Sequence, residues 1–131
     1  MACSRLSRPT ISNPAEAIAG VHAALRLNEP CVGRGFFKTG VCSGYGDACT
    51  TCTGVRDIGW AKHLSGLPHD IAWVQTRCPS GTAPCGKQVH CAGIPIAEAV
   101  WDLHARDLPA QFGLDANSAL EIATRLVYLG G

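Results

Sequence analysis

The chain has 131 residues, with 11 basic against 10 acidic side chains and a formal net charge of +1. That balance argues against a nucleic-acid or membrane surface as the main partner, and no window approaches the roughly 18 apolar residues that a membrane span needs. The length predicts one domain with a modest core.

Residues 1–11 read as an irregular tail. MACSRLSRPT has two arginines and no apolar stretch behind them, so it is not a signal peptide. The folded domain is expected over 12–131. Asn13 suits an N-cap and Pro14 a first helical position. Ile18, Val21, His22 and Leu25 then follow a helical stripe, which Asn28 and Pro30 end. Glu16 is the sole acidic residue of this helix. Locally it fits the third helical position, where a carboxylate reaches back to the cap and meets the positive end of the helix dipole.

Residues 31–56 are glycine-rich and loop-like, with no sustained period-2 pattern, so no substantial sheet is expected. VRDIGWAKHL reads as a short helix stopping at Gly66, and residues 68–89 as irregular. From Pro95 a helix presents Ile96, Val100 and Leu103 on one face, with Asp102 and Arg106 spaced to pair outside. PAQFG is a turn. Asp115 caps the last helix, on which Glu121 and Arg125 form a second outward pair, and Gly130-Gly131 stops it.

Eight cysteines, at 3, 31, 42, 49, 52, 78, 85 and 91, are many for this length. An even count in a small chain reads as disulfides and an oxidising compartment. Their connectivity is open, since eight cysteines allow 105 pairings. Export needs a leader, so this reading makes the chain the C-terminal piece of a longer secreted protein. Cys49-x-x-Cys52 also has the spacing of half a zinc knuckle. A closed structural site needs four ligands, and no second C-x-x-C exists, which leaves a mixed Cys/His site using His63 or His69 as the alternative.

His90, between Cys91 and the preceding KQV segment, is either a structural hydrogen-bonder or a donor toward developing negative charge in a cleft. Arg56 stands beside Asp57, so an ion pair or a solvated loop charge is its plain reading. His22, His63, His69 and His104 carry no partner pattern, and His104 reads as a packed or surface residue.

In order, PAEAIAG, GVRDI, PHD and QVHCAGIP resemble the C-terminal half of the thermolysin-like zinc metallopeptidases. The similarity spans residues 12–131 and is nearest to the cysteine-rich bacterial relatives of the thermolysin and fungalysin group. It implies a mainly α fold: a helical C-terminal domain with long disulfide-stapled loops and little sheet. It implies that Glu16 is the third zinc ligand, that His90 hydrogen-bonds the tetrahedral oxyanion, and that Arg56 holds a substrate backbone carbonyl. The partners implied are a peptide or protein substrate and an N-terminal catalytic half, with zinc held by the full-length parent and not by this chain alone. The departures are equally specific. No His-Glu-x-x-His occurs in the sequence, so two zinc ligands and the general base are lacking and the isolated chain is expected to be inactive. Where the family has an aspartate four residues after the ligand Glu, this chain has Gly20. The acidic partner of the oxyanion His is absent from CGKQ. Two rival readings remain: a non-catalytic, disulfide-stapled secreted binding domain, and a small Cys/His structural-zinc module.

Overall fold

The computed structural model describes residues 14–37, 51–63, 66–81 and 86–130. The expected tail, the Asn13 cap, and Cys3, Cys42, Cys49 and Cys85 lie outside these residues. The described chain is mainly helical. Its order is α1 (Pro14–Leu27), β1 (Cys31–Val32), β2 (Arg56–Asp57), a 3₁₀ turn (Trp60–Lys62), α2 (Ile71–Arg77), α3 (Val89–Ala92), α4 (Ile94–Asp102), a π turn (Leu103–Asp107), α5 (Leu108–Phe112) and α6 (Ala116–Gly130). No described helix is long and apolar enough to cross a membrane.

The core forms where α1, α4 and α6 meet. Val21, Ala24 and Leu25 of α1 pack with Ala97 of α4, Ala123 of α6 and Ile58, all but removed from solvent. Small residues at the crossings let the helix axes approach closely. On α1 the buried positions are Ala17, Gly20, Val21, Ala24 and Leu25, spaced i, i+3, i+4, i+7 and i+8. His22, expected on this stripe, is exposed. At 3.6 residues per turn, position 22 lies well round the helix from the arc centred on Ala17, Val21 and Ala24, so its ring faces solvent. Asn28, in the left-handed region at φ 48°, closes the helix, and the Glu29 N–H donates to the Ala24 carbonyl at 2.9 Å.

On α4 the buried positions are Ile94, Ala97 and Glu98. The expected face of Ile96, Val100 and Leu103 is only half-buried. It borders an apolar cavity of about 190 Å³ shared with Ile18, Leu126 and Val127. The Leu108 N–H reaches back to the Leu103 carbonyl, which makes the π turn. Pro109 accounts for it: a proline ring crowds the carbonyl four residues earlier and supplies no N–H, so the preceding turn widens. His104 sits inside this turn, buried, its Nδ1–H donating to the Trp101 carbonyl at 2.8 Å. Asp102 and Arg106 are paired across the turn, as their spacing predicts. PAQFG, expected as a turn, is helix α5, ended by Gly113 at φ 63°. Asp115 does cap α6: its Oδ1 accepts from the Ser118 N–H at 3.0 Å. Glu121 and Arg125 are paired at 2.6 Å. The helix runs through Gly130 rather than stopping before it.

The middle of the chain differs from expectation in two places. VRDIGWAKHL is not a helix. Arg56–Asp57 pairs antiparallel with Cys31–Val32, in the register Cys31↔Asp57 and Val32↔Arg56, and only Trp60–Lys62 coils. Residues 68–89 are not wholly irregular, because Ile71–Arg77 is helical, with Asp70 Oδ1 accepting from the Trp73 N–H at 2.7 Å. An Asp N-cap overrides a segment too short for a clear period. The sheet is small, as expected: among the described residues it holds two strands of two residues.

Among the described residues, two disulfides tie this region together. Cys31–Cys52 ties β1 to the segment before β2, and Cys78–Cys91 ties the end of α2 to α3. No described cysteine is free. A mixed Cys/His metal site through Cys52 is therefore overturned, because that sulfur is bonded to Cys31. The bridges are consistent with an extracellular location.

Candidate functional site

Three side chains far apart in sequence converge at the first turn of α1. Glu16 projects from that turn, His90 from α3, and Arg56 from β2. Glu16 Oε1 is in direct contact with His90 Nδ1, and Arg56 Nη2 lies 3.9 Å from the same oxygen. The side chain of Arg56 is 8% exposed, while Glu16 and His90 are 33% and 36% exposed. The cluster thus has a buried cation beneath a carboxylate and an imidazole that solvent reaches in part.

Each member is placed by an identifiable local cause. Glu16 follows Pro14 into the first helical turn, where the dipole favours a carboxylate. His90 lies on a helix of one turn that is held at both ends. Gln88 caps it, with Oε1 accepting from the Cys91 N–H at 2.8 Å, and Cys91 is bonded to Cys78. The junction after this helix is pressed onto α1: a Cβ on Gly93 would stand 3.2 Å from the Ala17 Cβ and 3.4 Å from its backbone. That close approach carries His90 over Glu16. Arg56 is oriented by the strand. Neighbours on a strand face opposite sides, and Asp57 accepts from the Gly59 N–H at 2.8 Å while Arg56 reaches Glu16.

Gly20 has a visible reason. It lies mid-helix, where glycine costs about 1 kcal/mol relative to alanine. A Cβ there would come 2.7 Å from Arg56 Nη2. The guanidinium fills the space that a larger residue at position 20 would need.

A second polar cluster escaped the sequence reading. His63, His69 and Glu98 bring one ligand atom each to within 4.8 Å of one another, and all three side chains are buried. His69 Nδ1 lies 2.6 Å and His63 Nδ1 3.6 Å from Glu98 Oε1, while Glu98 Oε2 accepts from the His69 N–H at 2.8 Å. The available signal was Glu98 itself: it stands on the α4 stripe that also holds Ile94, Ala97 and Trp101, where a carboxylate has no reason to be unless something inside receives it.

No family model, curated protein or solved structure matches this chain. The reading of the Glu16 cluster therefore rests on its chemistry and on the motif resemblance.

Proposed function

We propose that this chain is the C-terminal portion of an exported zinc metallopeptidase-like protein whose full-length parent hydrolyses peptide bonds. The observation that carries the reading is the meeting of Glu16, His90 and Arg56, three residues drawn from three separate elements. The resemblance assigned them a ligand, an oxyanion donor and a carbonyl clamp, roles that must converge on one substrate bond.

The residues present fit one corner of a zinc site. Glu16 supplies a carboxylate at a partly open position, but it joins no group of three ligand-type side chains among the described residues. A catalytic zinc normally takes three protein ligands. In this reading the other two come from a His-Glu-x-x-His segment outside this sequence. Zinc, when bound, lowers the pKa of a coordinated water and polarises the scissile carbonyl.

The chain's own residues do the rest. Glu16 holds its oxygen ready, with its charge balanced by the Arg56 guanidinium below. The His90 ring donates a proton-bearing nitrogen toward negative charge developing on the substrate carbonyl oxygen. Losing one such donor typically costs about 10²–10³ in turnover. Arg56, once its contact with Glu16 loosens on substrate entry, offers planar donors to a backbone carbonyl and fixes the peptide's register.

The test uses the parent reading frame. A His-Glu-x-x-His helix encoded upstream, with chelator-sensitive peptide cleavage by the full-length product, supports the proposal. In that product His90→Ala should depress kcat far more than it changes KM; equal loss in both removes it from the oxyanion role. Peptide cleavage by this pure 131-residue chain, abolished by chelator, would overturn the assignment of the missing ligands.

A further inference from the structure

We propose that His63, His69 and Glu98 form a second, independent metal site that binds one divalent first-row transition ion of the Zn²⁺ type and ties His63 and His69 to α4.

The donor set matches that class of ion. Two imidazoles and one carboxylate suit zinc and its neighbours, whereas calcium and magnesium take oxygen ligands. The three side chains are preorganised by separate parts of the fold. The His63 backbone N–H donates to the Trp60 carbonyl at 3.0 Å, and its ring Nε2–H donates to the Asp57 carbonyl at 2.8 Å. In the neutral ring that second bond puts the proton on Nε2 and leaves Nδ1 as a lone pair facing Glu98, the arrangement in which a backbone carbonyl orients a metal-bound histidine. The His69 ring is steadied against Trp73, with centroids 3.9 Å apart. Glu98 is held by α4 and commits Oε2 to the His69 N–H. Oε1 is then the point on which both Nδ1 atoms converge.

His63 Nδ1 gives the independent pointer. It is buried, its side chain 4% exposed, and it has no hydrogen-bond partner among the described residues. At 3.6 Å, Glu98 Oε1 is beyond hydrogen-bond distance. A bare nitrogen facing a buried carboxylate is unfavourable for both groups. A cation between them satisfies both. Tetrahedral ligation at bond lengths near 2.0–2.1 Å separates ligand atoms by roughly 3.3 Å. The His63–Glu98 spacing is already close to this, and the His69–Glu98 pair at 2.6 Å reaches it by a small rotation of either side chain as the proton shared between them is released to solvent. A cavity of about 210 Å³ borders His69 and Glu98 between Trp60, Pro95 and Asp102, so a water can complete the coordination and exchange with solvent.

The site shares no residue with Glu16, His90 and Arg56, and it uses no cysteine sulfur. The test is a titration of the disulfide-intact, chelator-stripped chain with Zn²⁺ by calorimetry and with Co²⁺ by visible absorption. The expected result is one equivalent bound, a Co²⁺ spectrum of nitrogen and oxygen ligation without thiolate charge transfer, and a higher Tm in the presence of Zn²⁺. Glu98→Gln and His63→Gln should each weaken binding at least about 100-fold, while the exposed His22→Gln leaves it unchanged. Should the substituted chains fail to fold, the wild-type spectrum and stoichiometry decide alone. Absence of one-equivalent binding by the wild-type chain overturns the site and leaves a buried histidine–carboxylate cluster without a metal role. Binding that survives Glu98→Gln, or is abolished by His90→Gln, also overturns it by moving the ion elsewhere.

Discussion

The helical bundle of α1, α4 and α6 and the stapled region between Cys31 and Cys91 are held by different forces. The bundle buries alanine, valine and leucine at regular helical spacing, and its stability is the sum of many small apolar contacts. The described part of the stapled region has short strands, short helices, two disulfides and a buried His–His–Glu cluster. Its described core clusters are small and built around the disulfides, so covalent and polar links add to apolar burial there. Both chemically interesting clusters draw most of their members from this region, and each is anchored to the bundle by one carboxylate: Glu16 from α1 and Glu98 from α4. The bundle supplies rigid posts, and the stapled loops carry the groups that must be aimed.

The contrast can be broken from either side. Ile58 links the regions, since it lies just after β2 and is fully buried in the bundle core. Ile58→Ala should cost about 2–5 kcal/mol, read as a lower denaturation midpoint with cooperativity retained. Replacing Cys78 and Cys91 together by serine closes no 13-residue loop and should cost about 3 kcal/mol. Hydrogen exchange should then rise over 71–92 before it rises in α1, α4 or α6. Uniform loss of protection would mean that the two regions are one cooperative unit.

Smaller effects sharpen the picture of the bundle. Asp115→Ala removes the α6 cap and should lower Tm by a few degrees. The Ser118 hydroxyl and its backbone N–H hold the Asp115 carboxyl below its ordinary value. A depressed folded-state pKa gives stability that is present above the unfolded value and fades as pH falls through the folded one. The gap between wild type and variant should therefore be constant from neutral pH down to about 4 and shrink below it. Thermal melts at several acid pH values check this. Glu121→Ala, which removes a well-exposed i,i+4 pair, should cost about 0.3–0.5 kcal/mol.

Legibility followed the same division. The final helix was readable to its cap and its ion pair, because Asp115, Glu121 and Arg125 act within one or two turns. The first helix was readable in extent, but His22 was misassigned to its buried stripe, since period alone cannot tell a histidine facing solvent from one facing neighbours. VRDIGWAKHL looked helical because its apolar residues are spaced by chance near a helical period. Its pairing with Cys31–Val32, a strand about 25 residues earlier to which Cys52 is bonded, is supplied by no local rule. Glu16, Arg56 and His90 were named from motif order, and the fold brings them together. His63, His69 and Glu98 were not grouped, because 29 residues separate His69 from its carboxylate.

The sequence by itself determined a mainly helical chain, the extent of the first helix, the final helix with its Asp115 cap, and an oxidised cysteine framework. Caps, small-residue stripes and cysteine counts are local properties of the chain. Only the tertiary structure decided which cysteines pair, that Gly20 makes room for the Arg56 guanidinium, and that two imidazoles meet Glu98 inside the protein. Those outcomes depend on the close approach of distant backbones, at Gly93 against Ala17 above all, and the distance between two segments is written in no single stretch of residues.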